Sequence, residues 1–300
     1  MKKALFQPFD LGKWLTLGFT AFLAGLADWD DGGGGGGSSK GHGKAHVDWQ
    51  DVLDFPHVAW DWLLDHPGWF TLIIFGLLVL LIVVILLTWL SSRGKFMFLD
   101  NVVHDRSNVT KPWHDFRELG NSLFFWRLCF GFICFSLCIL FLIFCYTTLY
   151  GLYESYSPRY TMIFAVVGMV FAFLIMMVIV GYITLFLNDF VVPIMYRSDI
   201  KTLEAWGRFL SLFNRHVLHF LFYGILVFFL HVLVVIGFII AGVLTCCVGF
   251  IFLIIPYISS VITLPVSYTF RAFSLEFLEQ FGPEFTVFPQ SEDASATGGT

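Results

Sequence analysis

Four ionisable side chains stand inside or at the edges of long apolar runs: Arg127, Asp189, His231 and Arg271. A charge in hydrocarbon is costly, so such residues pair with one another, face a polar cavity, or mark the path of an ion or proton. Asp189 follows Asn188 at the close of one run, Arg127 lies a few residues inside another, and Arg271 nears the end of the last. One reading is a polar vestibule in which Asp189 meets Arg127 or Arg271. The other is that long side chains snorkel to the interface or form one structural ion pair. His231 sits near the middle of its run, where a proton relay would need a group titrating close to neutral pH. A histidine held by hydrogen bonds between helices fits the same position. His219, twelve residues earlier, is turned away by about 120° and cannot share a face with His231.

Other clusters carry less chemistry. His57, Asp61 and Asp65 recur at i, i+4 and i+8, a stripe that suits a divalent ion but equally the wet face of an amphipathic helix. His42 and His46 stand in a flexible stretch. Cys134, Cys138 and Cys145 share a helical stripe in which small polarizable side chains serve packing. No disulfide framework follows from the six cysteines. The sequence holds no nucleophile elbow, zinc-protease motif, Walker loop or dinucleotide fingerprint. Neither a reaction nor a cofactor or metal is therefore expected.

The elements that must position these residues are membrane helices. The 300-residue chain is 58% hydrophobic and 13% charged, against about 45–50% and 25% in soluble domains. One soluble core cannot hide that excess, and lipid removes the need to. A span needs roughly 20 apolar residues. Trp69 to Leu90, Leu123 to Tyr150, Tyr160 to Leu187, Val217 to Leu244 and Val248 to about Phe273 meet that length. The last carries Pro256 and Pro265, which a membrane helix tolerates with a kink. The run from Trp14 to Ala27 is shorter, covering about 21 Å. It crosses if extended back to Leu11, with Lys13 snorkelling; a cleaved signal peptide and a re-entrant hairpin are the alternatives.

Alternating the loops puts fourteen Lys and Arg on one side against Lys40, Lys44 and Arg159 on the other. The richer side is cytoplasmic, and so are both termini if the first run crosses. The expectation is an all-α integral membrane bundle of about six transmembrane helices in three hairpins, with residues 1–281 forming one membrane domain. Within it, residues 28–67 are external: a glycine linker, Gly32 to Gly37, and then a tryptophan-rich amphipathic segment. Residues 282–300 read as a disordered cytoplasmic tail. A net charge of −5 gives no reason to expect nucleic acid; membrane lipids and other membrane proteins are the expected partners.

Two cytoplasmic loops repeat a pattern. Trp113, Phe116 and Asn121 match Trp206, Phe209 and Asn214 in spacing, and Phe98-Leu99-Asp100-Asn101-Val102-Val103 resembles Phe186-Leu187-Asn188-Asp189-Phe190-Val191. Trp and Phe at i and i+3 share a helix face, so each loop is expected to include an interfacial helix feeding the next hairpin. Phe9-Asp10-Leu11-Gly12-Lys13-Trp14 supplies a looser third copy.

The opening Phe6-Gln7-Pro8-Phe9-Asp10-Leu11-Gly12-Lys13-Trp14, with Arg93-Gly94-Lys95-Phe96 and Pro112-Trp113, resembles an uncharacterised family of bacterial membrane proteins. The hairpin plan is more distantly similar to the membrane domain attached to some glycerophosphodiester phosphodiesterases. The first resemblance implies a bacterial inner-membrane location. Neither supplies active residues, and the phosphodiesterase barrel has no counterpart here. The expected function is membrane organisation or assembly without catalysis; transport or lipid handling is the alternative.

Overall fold

In the computed structural model, the described residues are 11–25, 58–104, 110–155, 158–245, 256–282 and 285–286, and they contain helices and no strand. The long elements are α1 (Leu11–Gly25), α2 (Pro67–Val103), α4 (Arg117–Glu154), α5 (Arg159–Phe186), α8 (Val217–Leu244) and α9 (Pro256–Glu279). Between them lie α3 (Thr110–Asp115), a π-helical turn (Leu187–Val191), α6 (Val192–Ser198) and α7 (Thr202–Arg215). Residues 58–65 are also helical. Residues 1–10, residues 26–57 with the glycine linker, Cys246 and Cys247, residues 248–255 of the expected sixth span and the tail beyond 286 lie outside the described residues.

Among the described residues four helices are long and apolar enough to cross a membrane: α2, α4, the continuous helix Tyr160–Ser198 and α8. In the strongest apolar windows of the first three, no residue is buried within the protein. Lipid tails are as apolar as Leu, so such faces gain little by packing on one another and are left to the acyl chains. α1 is an apolar helix below spanning length, and α9 begins at Pro256, after the residues from Val248 that the sequence pattern would have included.

Contacts divide the chain into two compact units, to which α2, α4 and α5 each contribute twice. The first contains Met1–Gly35, Leu87–Arg127 and Tyr182–Thr300; the second contains Gly36–Leu86 and Leu128–Gly181. In the second, the apolar segments carry exposed Leu, Ile, Val and Phe, with Phe141 stacked on Phe173 at 5.9 Å.

The core belongs to the first unit. α2 buries nothing before Ser91 and nearly everything from there to Val103. α7 is amphipathic: Thr202, Ala205, Phe209 and Leu212 are buried, the spacing that brings one helix stripe inward. Phe209 lies face to face with Phe190 of the π turn, centroids 5.5 Å apart and planes 9° from parallel. Phe220 stacks on Phe281 at 5.1 Å and Tyr223 on Phe273 at 5.6 Å. Each such pair contributes about 0.5–1.5 kcal/mol beyond area burial. α9 also packs along α1, where Leu17, Leu264 and Tyr268 are buried together.

The two cytoplasmic loops expected to match differ in length. The first forms a six-residue helix before α4 and the second a fourteen-residue one before α8. Asn121 accepts from Arg93, whereas Asn214 is exposed.

Candidate functional site: a polar network at the π turn

Pro193 begins the chain of causes. A proline in a helix has no N–H for the carbonyl four residues back, here Asp189, and its ring crowds that carbonyl. The helix widens just before it, and the N–H of Val192 donates to Leu187 O, five residues back. In α register it would have reached Asn188 O. Asn188 O, left without its helical donor, accepts from Arg271 Nη1 of α9 at 2.6 Å. π turns of this kind occur often at functional positions.

The same turn presents two side chains to the core. Lys95 Nζ, on α2, donates to Asn188 Oδ1, and Lys95 is only 2% exposed. Tyr223, on α8, donates its hydroxyl to Asp189 Oδ2 at 2.9 Å. Arg271, His231 and Lys95 all lie near Asp189. Four segments (α2, the π turn, α8 and α9) are thereby tied by charge-assisted hydrogen bonds, which are about twice as strong as neutral ones.

His231 is half-buried, its ring stacked on Phe270 with centroids 4.3 Å apart. Its Nδ1 lies 2.9 Å from Val227 O one turn earlier. A carbonyl only accepts, so Nδ1 carries the proton in this contact and, in the neutral ring, Nε2 is the basic nitrogen.

Of the four residues singled out in the sequence, the structure brings together Asp189, Arg271 and His231. Arg127 is placed elsewhere: its Nη1 donates to Ser91 Oγ at 3.1 Å, and Ser91 Oγ donates to Ala24 O at 2.6 Å, a ladder joining α4, α2 and α1. Further along α2, Arg93 packs over the rings of Trp89 and Trp113, at 4.4 and 5.1 Å, and reaches Asn121 Oδ1 at 3.2 Å. Near the end of α2, Tyr196 donates to Asp100 Oδ1 at 2.7 Å, with His104 Nδ1 3.1 Å from the same oxygen.

Lys95 and Tyr223 are the network members that residue types alone do not bring forward. Lys95 reads as a loop cation because the apolar run stops at Leu90, yet the helix continues to Val103. The available signal is Phe96-Met97-Phe98-Leu99, which resumes the apolar pattern after Arg93-Gly94-Lys95 with no Pro or turn cluster to break the helix.

The weaker clusters form no comparable site. His219 is exposed. Cys134, Cys138 and Cys145 are free thiols, each partly buried. His57 of the external stripe lies outside the described residues, and among the described residues no three His, Cys, Asp or Glu side chains are grouped to hold a metal.

No curated protein and no solved structure matches the chain. Residues 1–258 match the model of a family of unknown function (DUF7544), and the chain belongs to that family.

Proposed function

We propose that the protein is a non-enzymatic, multi-pass membrane scaffold whose polar network is a structural latch, holding its helix ends so that lipid-facing and interfacial surfaces can engage other membrane proteins. The observation that carries this reading is that the network's polar atoms find their partners within the chain: Lys95 on Asn188, Tyr223 on Asp189, Arg271 on Asn188 O and His231 on Val227 O. The first three of these bonds join different elements and so fix a packing arrangement, whereas a transport path needs polar groups that change partners with the cargo. In this reading α1 and α9, packed along one another, complete six crossings in three hairpins. The matching loop motifs descend from an internal repeat, and both termini face the cytoplasm of a bacterial inner membrane, where lipids and membrane proteins are the partners.

A second reading, transport or lipid handling, is favoured by one feature. A π turn followed by proline places Asn188 and Asp189 at an interruption in a helix, beside the titratable His231, and interrupted helices build substrate sites in transporters. Variants of the network separate the two. For a scaffold, complementation of a deletion strain by Lys95→Met, Tyr223→Phe and His231→Gln follows the thermal stability of each purified protein. A transporter breaks that correlation.

A further inference from the structure

We propose that the cleft between α6 and α7 binds a phosphate group, independently of the polar network. A cavity of about 120 Å³ opens there, lined by Arg197 and Ser198 of α6, Arg208 and Ser211 of α7, and on its apolar side by Leu278 and Phe285 among others. Among the described residues the lining contains two guanidinium groups and no carboxylate, a combination that favours an oxyanion. Arg208 is already oriented: its Nη1 donates to Ser198 Oγ at 3.0 Å, which leaves its remaining N–H groups and the Ser198 hydroxyl proton to donate to a ligand. Ser211 spends its proton on Arg208 O at 2.8 Å and contributes no donor.

Two arginines select phosphate over carboxylate. A carboxylate matches one guanidinium in charge and in its pair of oxygens, whereas a phosphate offers three acceptor oxygens and as many as two charges, enough for both. Size narrows the class further. Pockets for drug-sized ligands run from about 300 Å³ upward, so the enclosed part of this cleft suits a single phosphate with a short apolar appendage against Leu278 and Phe285. Two sources offer that chemistry: the headgroup of an anionic phospholipid and a phosphorylated solute. On α7, Arg208 lies about 140° around the helix from Leu203, which is itself 77% exposed; the site is thus set apart from that exposed apolar stripe and is open to either source.

The test uses the full chain in lipid nanodiscs and follows thermal unfolding. One arm titrates inorganic phosphate against sodium chloride of equal ionic strength, in discs of phosphatidylcholine. The other compares phosphatidylcholine discs with discs that also contain phosphatidylglycerol. Wild type is expected to be stabilised in at least one arm: by phosphate if the ligand is a solute, by phosphatidylglycerol if it is a headgroup. The double variant R197Q/R208Q should lose that response, its half-saturation rising by about tenfold or more, as loss of charge-assisted hydrogen bonds implies. Arg215→Gln, on the same polar flank of α7 but outside the cleft, should respond as wild type does. If the double variant does not fold, Arg197→Gln alone makes the same comparison. No wild-type response in either arm, or an equal response in the arginine variants, overturns the site.

Discussion

Arg271 holds Asn188 by its backbone. The guanidinium donates to the main-chain carbonyl at 2.6 Å, while the side-chain amide of the same residue serves Lys95. One residue of the π turn therefore anchors both α2 and α9 through chemically separate groups, and substitution can address one without removing the other.

This separation predicts an asymmetry in double-mutant cycles. Asn188→Leu removes the acceptor of Lys95 but keeps the carbonyl that Arg271 uses. In chemical or thermal unfolding, Asn188→Leu and Lys95→Met should be coupled by about 1 kcal/mol, the scale of hydrogen bonds between membrane helices. Asn188→Leu and Arg271→Met should come closer to additive, with Arg271→Met alone costing about 1–3 kcal/mol. Equal coupling in the two cycles would contradict the geometry.

A second prediction concerns glycines. A Cβ on Gly94 would stand 2.6 Å from the backbone of Leu23 and 2.7 Å from that of Ala24, whereas one on Gly76 meets nothing within 4 Å. Gly94→Ala must therefore push α2 from α1, for about 1–3 kcal/mol or more, because backbone cannot step aside as a side chain can. Gly76→Ala should be neutral or stabilising by up to about 1 kcal/mol, through helix propensity. Melting temperatures of the two variants in the same detergent decide it; a stable Gly94→Ala protein would mean that the two helices are not in close contact.

Topology supplies a third. With native cysteines removed, a cysteine at Ser39 should react with a membrane-impermeant maleimide from outside, and cysteines at Ser107 and Ser198 only after the cytoplasm is opened. The fourteen-to-three distribution of Lys and Arg demands this. Ser107 and Ser198 labelling from opposite sides would break the hairpin arrangement.

The membrane helices were legible because an apolar run of spanning length is stable almost nowhere except in lipid: α8 occupies the expected Val217 to Leu244. Asp189, Arg271 and His231 each stood out in the sequence because a polar or charged group near hydrocarbon must find a partner, but the spacing did not say that Arg271 takes the carbonyl of Asn188. What the sequence concealed follows from register and from helix continuation. Nothing in Leu187-Asn188-Asp189-Phe190-Val191 announces a π turn, and Pro193 signals trouble for the helix without saying whether it kinks, ends or widens. Lys95 was hidden because hydropathy ends a span where polarity rises, although the helix itself need not end there. Arg127 keeps different company from that expected because its choice between Asp189 and Ser91 depends on how α1, α2 and α4 pack, which no spacing encodes.

The most direct test of the latch is His231→Gln, measured twice: unfolding of the purified protein, and complementation of a deletion strain. Gln can restore part of the contact with Val227 O but not the stack on Phe270. Loss of that ring stack predicts a stability loss of about 1 kcal/mol, with function reduced only as far as folded protein is lost. A His231→Gln protein of undiminished stability that fails completely to complement would contradict the scaffold and establish His231 as a working group.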